Sequence, residues 1–460
     1  MALDKTDESE INNLDSLVGY FEDACKAEDD WCIGTEHEKF PFYVDGFRPV
    51  PYEGTNGIRV LLEKMQRALG WEAVLDEGNI IGLLGSVDQG AISLEPAGQF
   101  ELSGAPLKTI GHTYCEVMAH LELLKKVSQP LGICFLGIGA SPKWTLDETP
   151  RMPKSRYQIM TNYMPKVGHD GLDMMYRTAT IQVNLDFSSE TDMRRKMQVS
   201  MKLQSIATAL FANSPFTEGE PNGFLSWRSH VWCSTDNQRT GILPFVFSER
   251  FGFSDYVEWA LDVPMYFVVR DGHYYDCTHI TFRQFMNGAL RKQIADSTPA
   301  MRDWTNHLST LFPEVRLKRF LEMRGADGGS LKHICALSAF WVGLLYDSEA
   351  LNEAEALTKD WCFEEVLEMH TRVAKEGLKT PFRQTIILEL ARQVLAISRK
   401  GLKNRQQYDT GGFDETDFLA PLEEVVAMGQ TNADKLLSNY HSIWGKSLDP
   451  VFLEHAYWIV

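Results

Sequence analysis

The clearest pattern along the chain is a strict alternation of apolar and polar residues in residues 179–187. Apolar Ile181, Val183, Leu185 and Phe187 alternate there with polar Gln182, Asn184 and Asp186. Successive side chains of a β-strand point to opposite faces, so this stretch predicts a strand with one buried and one polar face. Residues 314–324 alternate in the same way and predict a second strand of this kind.

The rest of the chain divides into short apolar runs and longer helical patterns. Short runs predict a strand around Glu36–Glu38, hairpins in 78–103, and strands at 133–138 and 263–269. A turn at Ser188–Asp192 starts a helix that runs to Ala212. Apolar residues at helical spacing predict further helices at 10–27, 56–69, 106–128, 282–291, 331–346, 349–376, 381–399, 415–428 and 431–445. Because strands and helices do not alternate as repeated βαβ units, we expect an α+β fold with an antiparallel sheet and helices packed around it.

The chain is strongly acidic, which narrows the range of its partners. Its 45 lysines and arginines are outnumbered by 63 aspartates and glutamates, so the net charge is −18. A general nucleic-acid binder needs a basic surface, so that class is excluded. No run of about 18 apolar residues is present, so no membrane-spanning helix is expected.

The N-terminal segment and the cysteines predict a protein of the cytoplasm. Residues 1–13 are acidic and polar, without the basic and apolar parts of a secretory signal. None of the eight cysteines forms a Cys-x-x-Cys pair, and widely spaced thiols fit a reducing compartment.

Paired carboxylates on predicted strands indicate where chemistry takes place. Glu36 and Glu38 are two residues apart, so in a strand both project from the same face. Neighbouring anions repel each other unless a cation lies between them, and Mg²⁺ prefers oxygen ligands of this kind. A solvated strand face explains one such pair equally well. The other polar strand faces carry the carboxylates Glu95, Glu101 and Glu322 and the neutral oxygen donors Gln182 and Asn184.

If the apolar faces of these strands are buried in one direction, the five carboxylates line a common concavity that would hold one to three Mg²⁺ ions. Arg228, Arg239 and Arg324 are of the type that binds phosphate or carboxylate through two donors. Carboxylates that hold Mg²⁺, combined with arginines, indicate ATP chemistry. No G-x-x-x-x-G-K-[ST] motif occurs, so this is not a P-loop enzyme.

In several longer stretches the chain resembles the glutamate–cysteine ligases of the plant and proteobacterial type. The matching stretches are Ile33–Phe40, Ser93–Pro96 with Gln99–Ser103, Tyr163–Gly168, Gln182–Phe187, Ala212–Phe216 and Arg316–Asp327. The resemblance runs from about residue 15 to the C-terminus.

This resemblance implies a funnel of antiparallel strands similar to the catalytic core of glutamine synthetase. It also implies a single catalytic unit over residues 1–460, with the funnel sheet in about 30–330 and a mostly helical part in about 331–460. In the implied reaction, ATP phosphorylates the γ-carboxylate of L-glutamate, and the amine of L-cysteine then displaces the phosphate. The product is γ-glutamylcysteine, made in the first step of glutathione synthesis.

Carried over residue by residue, the resemblance implies a role for each candidate side chain. The metal carboxylates are Glu36, Glu38, Glu95, Glu101 and Glu322. The glutamate substrate is held by Arg228, the cysteine pocket has Tyr266 as a wall, and Arg156 from the basic loop in 140–171 is a further substrate-binding residue. The residues expected to bind ATP are Arg239, Arg324, Gln182 and Asn184. The residues expected to be catalytic are Arg228, Arg324 and Glu322.

Two other functions stay open at this point. One is another carboxylate–amine ligase with the same metal funnel and a different acceptor, and the other is a non-catalytic binding relative. A non-catalytic relative is expected to have lost metal carboxylates, and all five are present here. The short acidic start lacks the transit peptide of the plant members, so we expect an enzyme of a bacterial cytoplasm. A homodimer and feedback by glutathione are left open.

The resemblance also implies a difference from the plant enzymes in redox control. Plant members carry two internal disulfides, and one of them uses a cysteine that matches Cys277. Its partner is missing here, because 287–299 contains no cysteine. The other uses a cysteine that matches Cys335, and its partner position aligns with Tyr114, the neighbour of Cys115. One residue along a helix is a turn of about 100°, so we expect no control by an internal disulfide.

Overall fold

The computed structural model describes residues 7–11, 13–86, 89–294, 297–408 and 414–458. The strands are β1 Ile33–His37, β2 Phe40–Tyr43, β3 Glu72–Asp76, β4 Asn79–Leu84, β5 Ala91–Leu94, β6 Phe100–Ser103, β7 Ile133–Leu136, β8 Thr180–Leu185, β9 Phe216–Thr217, β10 Glu220–Pro221, β11 Thr240–Gly241, β12 Phe267–Arg270, β13 His273–Asp276, β14 Phe312–Pro313, β15 Val315–Leu317, β16 Leu321–Asp327, β17 Pro381–Phe382 and β18 Thr385–Ile386. The helices are α1 Leu14–Glu22, α2 Ile58–Leu69, α3 Ile110–Ser128, α4 Ser155–Tyr163, α5 Gly171–Arg177, α6 Glu190–Leu210, α7 Trp227–Trp232, α8 Phe253–Asp262, α9 Phe282–Met286, α10 Met301–Leu308, α11 Leu331–Leu345, α12 Ser348–Thr358, α13 Phe363–Glu376, α14 Ile387–Arg405, α15 Ala420–Met428, α16 Asn432–Ser442 and α17 Asp449–Glu454.

Eight of the strands form one sheet at the centre of the fold. Their order is β15-β16-β8-β1-β6-β5-β4-β3. Every neighbouring pair in this order is antiparallel. The α+β fold with an antiparallel sheet surrounded by helices is therefore confirmed.

The two faces of the sheet have different environments, as the alternation in 179–187 predicts. Ile181, Val183 and Leu185 of β8 are fully buried. On this side α11 packs against β8 and β1, and α6 packs against β16. A hydrogen bond of 3.3 Å between the hydroxyls of Thr35 and Ser338 also joins β1 to α11. Glu36, Gln182 and Asn184 of these strands point to the opposite face.

Two helices of the C-terminal part connect to the sheet through a close crossing. α11 lies on the sheet and α14 packs across it. A Cβ atom on Gly401 would lie 1.9 Å from the backbone oxygen of Gly343, and one on Gly343 would lie 2.3 Å from that of Ser398. The Ser398 hydroxyl donates to the Phe340 carbonyl at 3.0 Å. Only glycine at 343 and 401 permits this backbone contact.

The structure differs from several predicted elements: 381–386 form the short hairpin β17–β18 instead of helix, α9 ends at Met286 instead of 291, and two longer stretches are divided. Residues 314–324 form the hairpin β15–β16 instead of one strand, because Lys318 N–H bonds back to the Phe320 carbonyl at 2.8 Å and reverses the chain. Residues 349–376 form two helices, α12 and α13. The second helix starts anew because Glu365 accepts the backbone N–H of Cys362 at 3.1 Å, forming a capping box.

Among the described residues, no single helix is both long and apolar enough to cross a membrane. Taken together, α11 and α12 are long and apolar enough to span a membrane, but the two helices are bent by 87° relative to each other.

All eight cysteines are free thiols in the structure. Burial and the Cys115 thiol of the neighbouring helix α3 together raise the pKa of Cys335 in α11 to about 12. Tyr114 itself contacts Phe418, with ring centroids 6.0 Å apart.

We predict that Gly401→Ala destabilises the protein by about 1–3 kcal/mol, because the added methyl group must push the α11 and α14 backbones apart. Thermal unfolding followed by circular dichroism measures the change. Gly19→Ala in α1 is the control, since nothing lies within 4 Å of its added Cβ. That control should be neutral or slightly stabilising. An unchanged melting temperature for Gly401→Ala would show that the helices separate without cost.

We also predict that no internal disulfide controls activity. Thiol titration of the unfolded, non-reduced protein should count eight free thiols, and dithiothreitol should change the activity little. Cys115 and Cys335 lie on the neighbouring helices α3 and α11, so a bridge between these two thiols is the one to look for. A Cys115–Cys335 cross-link in a peptide map, with a several-fold loss of activity on reduction, would contradict the prediction.

Candidate active site

A cavity opens on the polar face of the sheet. It is lined by four of the five predicted metal carboxylates, Glu36, Glu38, Glu95 and Glu101. Of the other predicted site residues, Gln182, Arg156, Arg228 and Arg324 also line it. Residues more than 280 positions apart in the sequence thus meet in one space.

Glu36 in β1 and Glu38, the residue just after its end, project to the same side, as the alternation predicts. Glu36 and Glu38 both line the cavity, and Glu36 stands opposite Gln182 of β8 and Ser103 of β6. His37 and Lys39 are buried on the other side, where Lys39 Nζ lies 2.9 Å from His37 Nδ1. The period of the strand therefore separates the acidic side chains from the basic ones.

A tight turn between β5 and β6 places the second pair of carboxylates. The Gly98 N–H bonds to the Glu95 carbonyl at 2.8 Å, and Gly98 has φ +83°, a value that favours glycine. The Gln99 side chain anchors the turn by donating to the carbonyls of Met175 at 3.2 Å and Thr178 at 2.9 Å. Beyond the turn, Glu101 accepts a hydrogen bond from the Ser93 hydroxyl.

The carboxylates of β1 carry more negative charge than their surroundings balance. Burial raises the pKa of Glu38 well above its usual range, and Glu95 and Glu101 raise it further. Burial also raises the pKa of Glu36, together with repulsion from Glu322 and Glu101. Two hydrogen bonds of 3.0 Å oppose these shifts, from Asn184 Nδ2 to Glu36 and from the Thr180 N–H to Glu38.

The fifth predicted carboxylate, Glu322, lies beneath the cavity and is paired with three cations. Arg316 bonds both of its oxygens, at 2.6 and 2.9 Å. Lys318 lies 2.7 Å and Arg324 2.5 Å from it. Burial alone would raise the pKa of Glu322, but these cations hold it well below its usual range. Glu322 therefore stays ionised and fixes the base of the arginine cluster.

Two arginines direct positive charge into the cavity from different elements. Arg324 of β16 donates to Gln182 at 2.8 Å, and its guanidinium carbon lies 5.5 Å from the Phe312 ring centroid. Arg228 of α7 donates to the Arg324 carbonyl at 2.8 Å. Burial lowers the pKa of Arg228, and Asp327 opposes this effect. The two guanidinium groups therefore lie next to each other, facing the carboxylates.

Arg239 and Tyr266 lie elsewhere than the resemblance implies, because neither lines the cavity wall. Arg239 is fully buried, with its donors directed to Asp236 at 2.7 Å and to the Pro264 carbonyl at 2.7 Å. Its guanidinium carbon lies 3.9 Å from the Tyr266 ring centroid. Tyr266 is 6.5 Å from the Phe312 ring, which does line the cavity. Both residues therefore support the wall from behind.

The structure adds site residues that the sequence reasoning did not single out. Arg316 and Lys318 hold Glu322, and their alternation with it on the polar face of 314–324 was the available signal. Lys154 is buried beside the cavity and donates to the Leu94 carbonyl at 2.8 Å. Burial and the neighbouring Arg156 lower the pKa of Lys154 to about 7. The apolar end of the cavity is made by Met160, Met174, Trp232, Phe267 and Phe312.

A groove of about 1070 Å³ adjoins this cavity on the outer strands of the sheet. Its floor is the face of β3, β4 and β5, and Lys154 and Tyr274 form its rim. Arg156 lines both the groove and the cavity. The groove and the cavity therefore meet at Arg156, and Lys154 lies on the groove side of this junction.

The cavity's donor set fits a hard divalent cation. Its carboxylates are buried oxygen donors whose mutual repulsion raises the pKa of Glu36 and Glu38, and a cation relieves such repulsion. Within the described ranges, no three acidic, histidine or cysteine side chains are already arranged to hold a metal ion. Binding would thus require small movements of these side chains.

Comparisons with known proteins identify the family of the chain. The model of glutamate-cysteine ligase family 2 matches residues 32–454. The chain is 53% identical over 443 residues to glutamate–cysteine ligase A, chloroplastic, of Oryza sativa subsp. indica, covering 96% of this chain and 88% of the relative. It is 54% identical over 443 residues to the chloroplastic glutamate–cysteine ligase of Arabidopsis thaliana, covering 96% and 83%.

Among solved structures, the chain is similar to glutamate–cysteine ligase of Francisella tularensis in complex with AMP. The TM-score is 0.53 at 12% identity, covering 92% of this chain and 87% of the other. This likeness confirms the expected ligase fold.

One expectation is wrong. The bacterial cytoplasmic location inferred from the acidic start is contradicted by these relatives, which are chloroplastic plant enzymes. A family model that spans residues 32–454 and identities above 50% leave no doubt about kinship: the chain belongs to glutamate-cysteine ligase family 2.

Proposed function

We propose that the chain is a glutamate–cysteine ligase that uses ATP and Mg²⁺ to make γ-glutamylcysteine for glutathione synthesis, and that it acts as one catalytic unit. The observation that carries this proposal is one cavity in which buried carboxylates face Arg228 and Arg324. Family membership and the identity to ligases from plants support it. A non-catalytic relative would have no use for buried like charges.

The residues that would hold Mg²⁺ are Glu36, Glu38, Glu95 and Glu101, with Glu322 beneath them. Bound Mg²⁺ would neutralise the charge of the ATP phosphates during phosphoryl transfer. The protein contributes the arrangement of these groups: β1 fixes two carboxylates by its period, and the β5–β6 turn fixes the other two. Asn184 and the Thr180 N–H orient Glu36 and Glu38.

The glutamate substrate would be bound by Arg228. Its guanidinium is buried, faces the carboxylates across the cavity, and is fixed by the Arg324 carbonyl. A planar guanidinium can donate two parallel hydrogen bonds to the α-carboxylate, which would direct the γ-carboxylate toward Glu36 and Glu38. This orientation would hold a γ-carboxylate oxygen next to the γ-phosphorus of ATP, so that its attack forms γ-glutamyl phosphate and releases ADP.

ATP would lie across the junction of groove and cavity. The adenosine would rest on the face of β3–β5, and the phosphates would pass Lys154 and Arg156 toward Arg324 and Gln182. Buried cations next to neutral acceptors are suited to an anionic ligand, because its charge offsets the loss of their solvation. Arg239 would act indirectly, by fixing Tyr266 behind Phe312.

L-cysteine would occupy the apolar end of the cavity. Met160, Met174 and Trp232 present sulfur and ring surfaces suited to a weakly polar thiol. Tyr266, placed behind this wall, would shape the pocket rather than contact the thiol. The amine of cysteine would then attack the γ-glutamyl phosphate, and no enzyme nucleophile is required.

The test of this function is phosphate release from ATP with Mg²⁺ and L-glutamate, measured with and without L-cysteine. Release that depends on cysteine, with γ-glutamylcysteine identified by mass spectrometry, is the expected result. Release only with other amines would indicate a ligase with a different acceptor. No release under any condition would indicate a binding relative.

We predict that Glu38→Gln raises the Mg²⁺ concentration needed for half-maximal activity by at least about tenfold, because a neutral amide is a weaker ligand than a carboxylate. Glu116→Gln is the control, since Glu116 is partly buried outside the cavity and needs only one acceptor for the Ala105 N–H. Equal Mg²⁺ dependence in wild type and Glu38→Gln would remove Glu38 from the metal site.

We predict that Arg228→Lys lowers kcat/KM for glutamate by roughly 30- to 150-fold, because lysine cannot supply a planar pair of donors. The KM for ATP should change little. Arg283→Lys is the control, since that arginine pairs with Glu258 and Asp262 at the surface. Normal glutamate kinetics with a raised KM for ATP would assign Arg228 to the nucleotide instead.

A further inference from the structure

Arg228 enters the cavity from α7, a helix of only six residues. Isolated helices of this length are not stable in water, so the place of α7 depends on its attachments. Hydrogen bonds connect the N-terminal end of α7 to one buried carboxylate, that of Asp327, which is the last residue of β16. Asp327 is 2% exposed.

The Asp327 carboxylate joins three segments of the chain. Its Oδ1 accepts a hydrogen bond from the Ser226 hydroxyl at 2.7 Å. Its Oδ2 accepts from the Ser214 hydroxyl at 2.6 Å and from the Asn213 N–H at 2.8 Å. The end of β16, the segment after α6 and the residue before α7 are therefore held together by one side chain.

The same two hydroxyls accept hydrogen bonds from α7. Ser226 is the N-cap of the helix and accepts the Ser229 N–H at 3.2 Å. The Ser214 hydroxyl accepts the backbone N–H of Arg228 itself at 3.2 Å. Because each hydroxyl donates to Asp327, its lone pairs are turned toward the helix. The Arg228 guanidinium donates a hydrogen bond to the carbonyl of Arg324, which belongs to the same strand as Asp327.

We propose that Asp327 is a positioning residue for glutamate binding: through Ser214 and Ser226 it fixes the helix that carries Arg228 into the cavity. The proposal rests on the role of Arg228 proposed above. A carboxylate suits this place because it accepts from all three donors, whereas an asparagine amide would turn a donor toward one of them. It also gives a function to the stretches Ala212–Phe216 and Arg316–Asp327, which meet here.

The first test removes the cap hydroxyl with Ser226→Ala. We expect KM for glutamate to rise on the order of five- to tenfold, the scale of a lost N-cap, with KM for ATP within about twofold of wild type. Ser226→Thr restores a hydroxyl and should restore KM. The control is Ser189→Ala, which removes the N-cap of α6, where the Ser189 hydroxyl accepts the Asp192 N–H at 3.1 Å and does not line the cavity. It should lower the melting temperature without changing KM.

The decisive test combines Ser226→Ala with Arg228→Lys. If the cap acts through Arg228, the double variant should bind glutamate no worse than Arg228→Lys alone. Asp327→Asn should follow Ser226→Ala in direction, and if it fails to fold, the serine variants decide. Additive losses, or equal losses of ATP and glutamate affinity in Ser226→Ala, would overturn the positioning role alone. Unchanged glutamate kinetics in Arg228→Lys would instead reject the proposed role of Arg228, and this inference with it.

Discussion

The structure depends on the burial of like charges on one face of an antiparallel sheet. Glu36 and Glu101 are buried and Glu38 is partly exposed, and burial together with repulsion from neighbouring carboxylates raises the pKa of Glu36 and Glu38. An uncompensated buried charge costs several kcal/mol, so a sheet that places several together must balance them with cations or ligands. The fold around the cavity is arranged to provide that balance.

The carboxylates are neutralised in two ways, some by cations of the protein and others by ligands that bind and leave. Glu322 is neutralised within the protein by Arg316, Lys318 and Arg324. Glu36 and Glu38 accept hydrogen bonds from neutral groups, the Asn184 amide and the Thr180 N–H, and the attraction of Lys318 for Glu36 and of Arg228 for Glu38 offsets their burial only in part. Such a division suits an enzyme that binds cations and phosphates: the fixed part keeps the cavity in shape, and the other part is completed by the ligands.

The period of the strands was sufficient to predict which residues meet. A spacing of two along β1 and β8 places Glu36, Glu38 and Gln182 on the face that lines the cavity. The reversal at Lys318–Phe320 was not predicted, because the alternation of polar and apolar residues continues through the turn. From the sequence alone, Arg239 is as good a candidate for binding phosphate or carboxylate as Arg228 is. Only the fold separates them, by burying Arg239 against Asp236 and Tyr266.

Charges that must stay fixed and charges that must meet a substrate come from different kinds of element. The carboxylates belong to strands and a hairpin turn, whose positions are set by hydrogen bonds to neighbouring strands on both sides. Arg228 comes from a short helix, which has no such register and little stability of its own. The sheet must therefore fix the position of this helix. It does so through hydrogen bonds to Asp327 at the end of β16 and to the Arg324 carbonyl in the same strand.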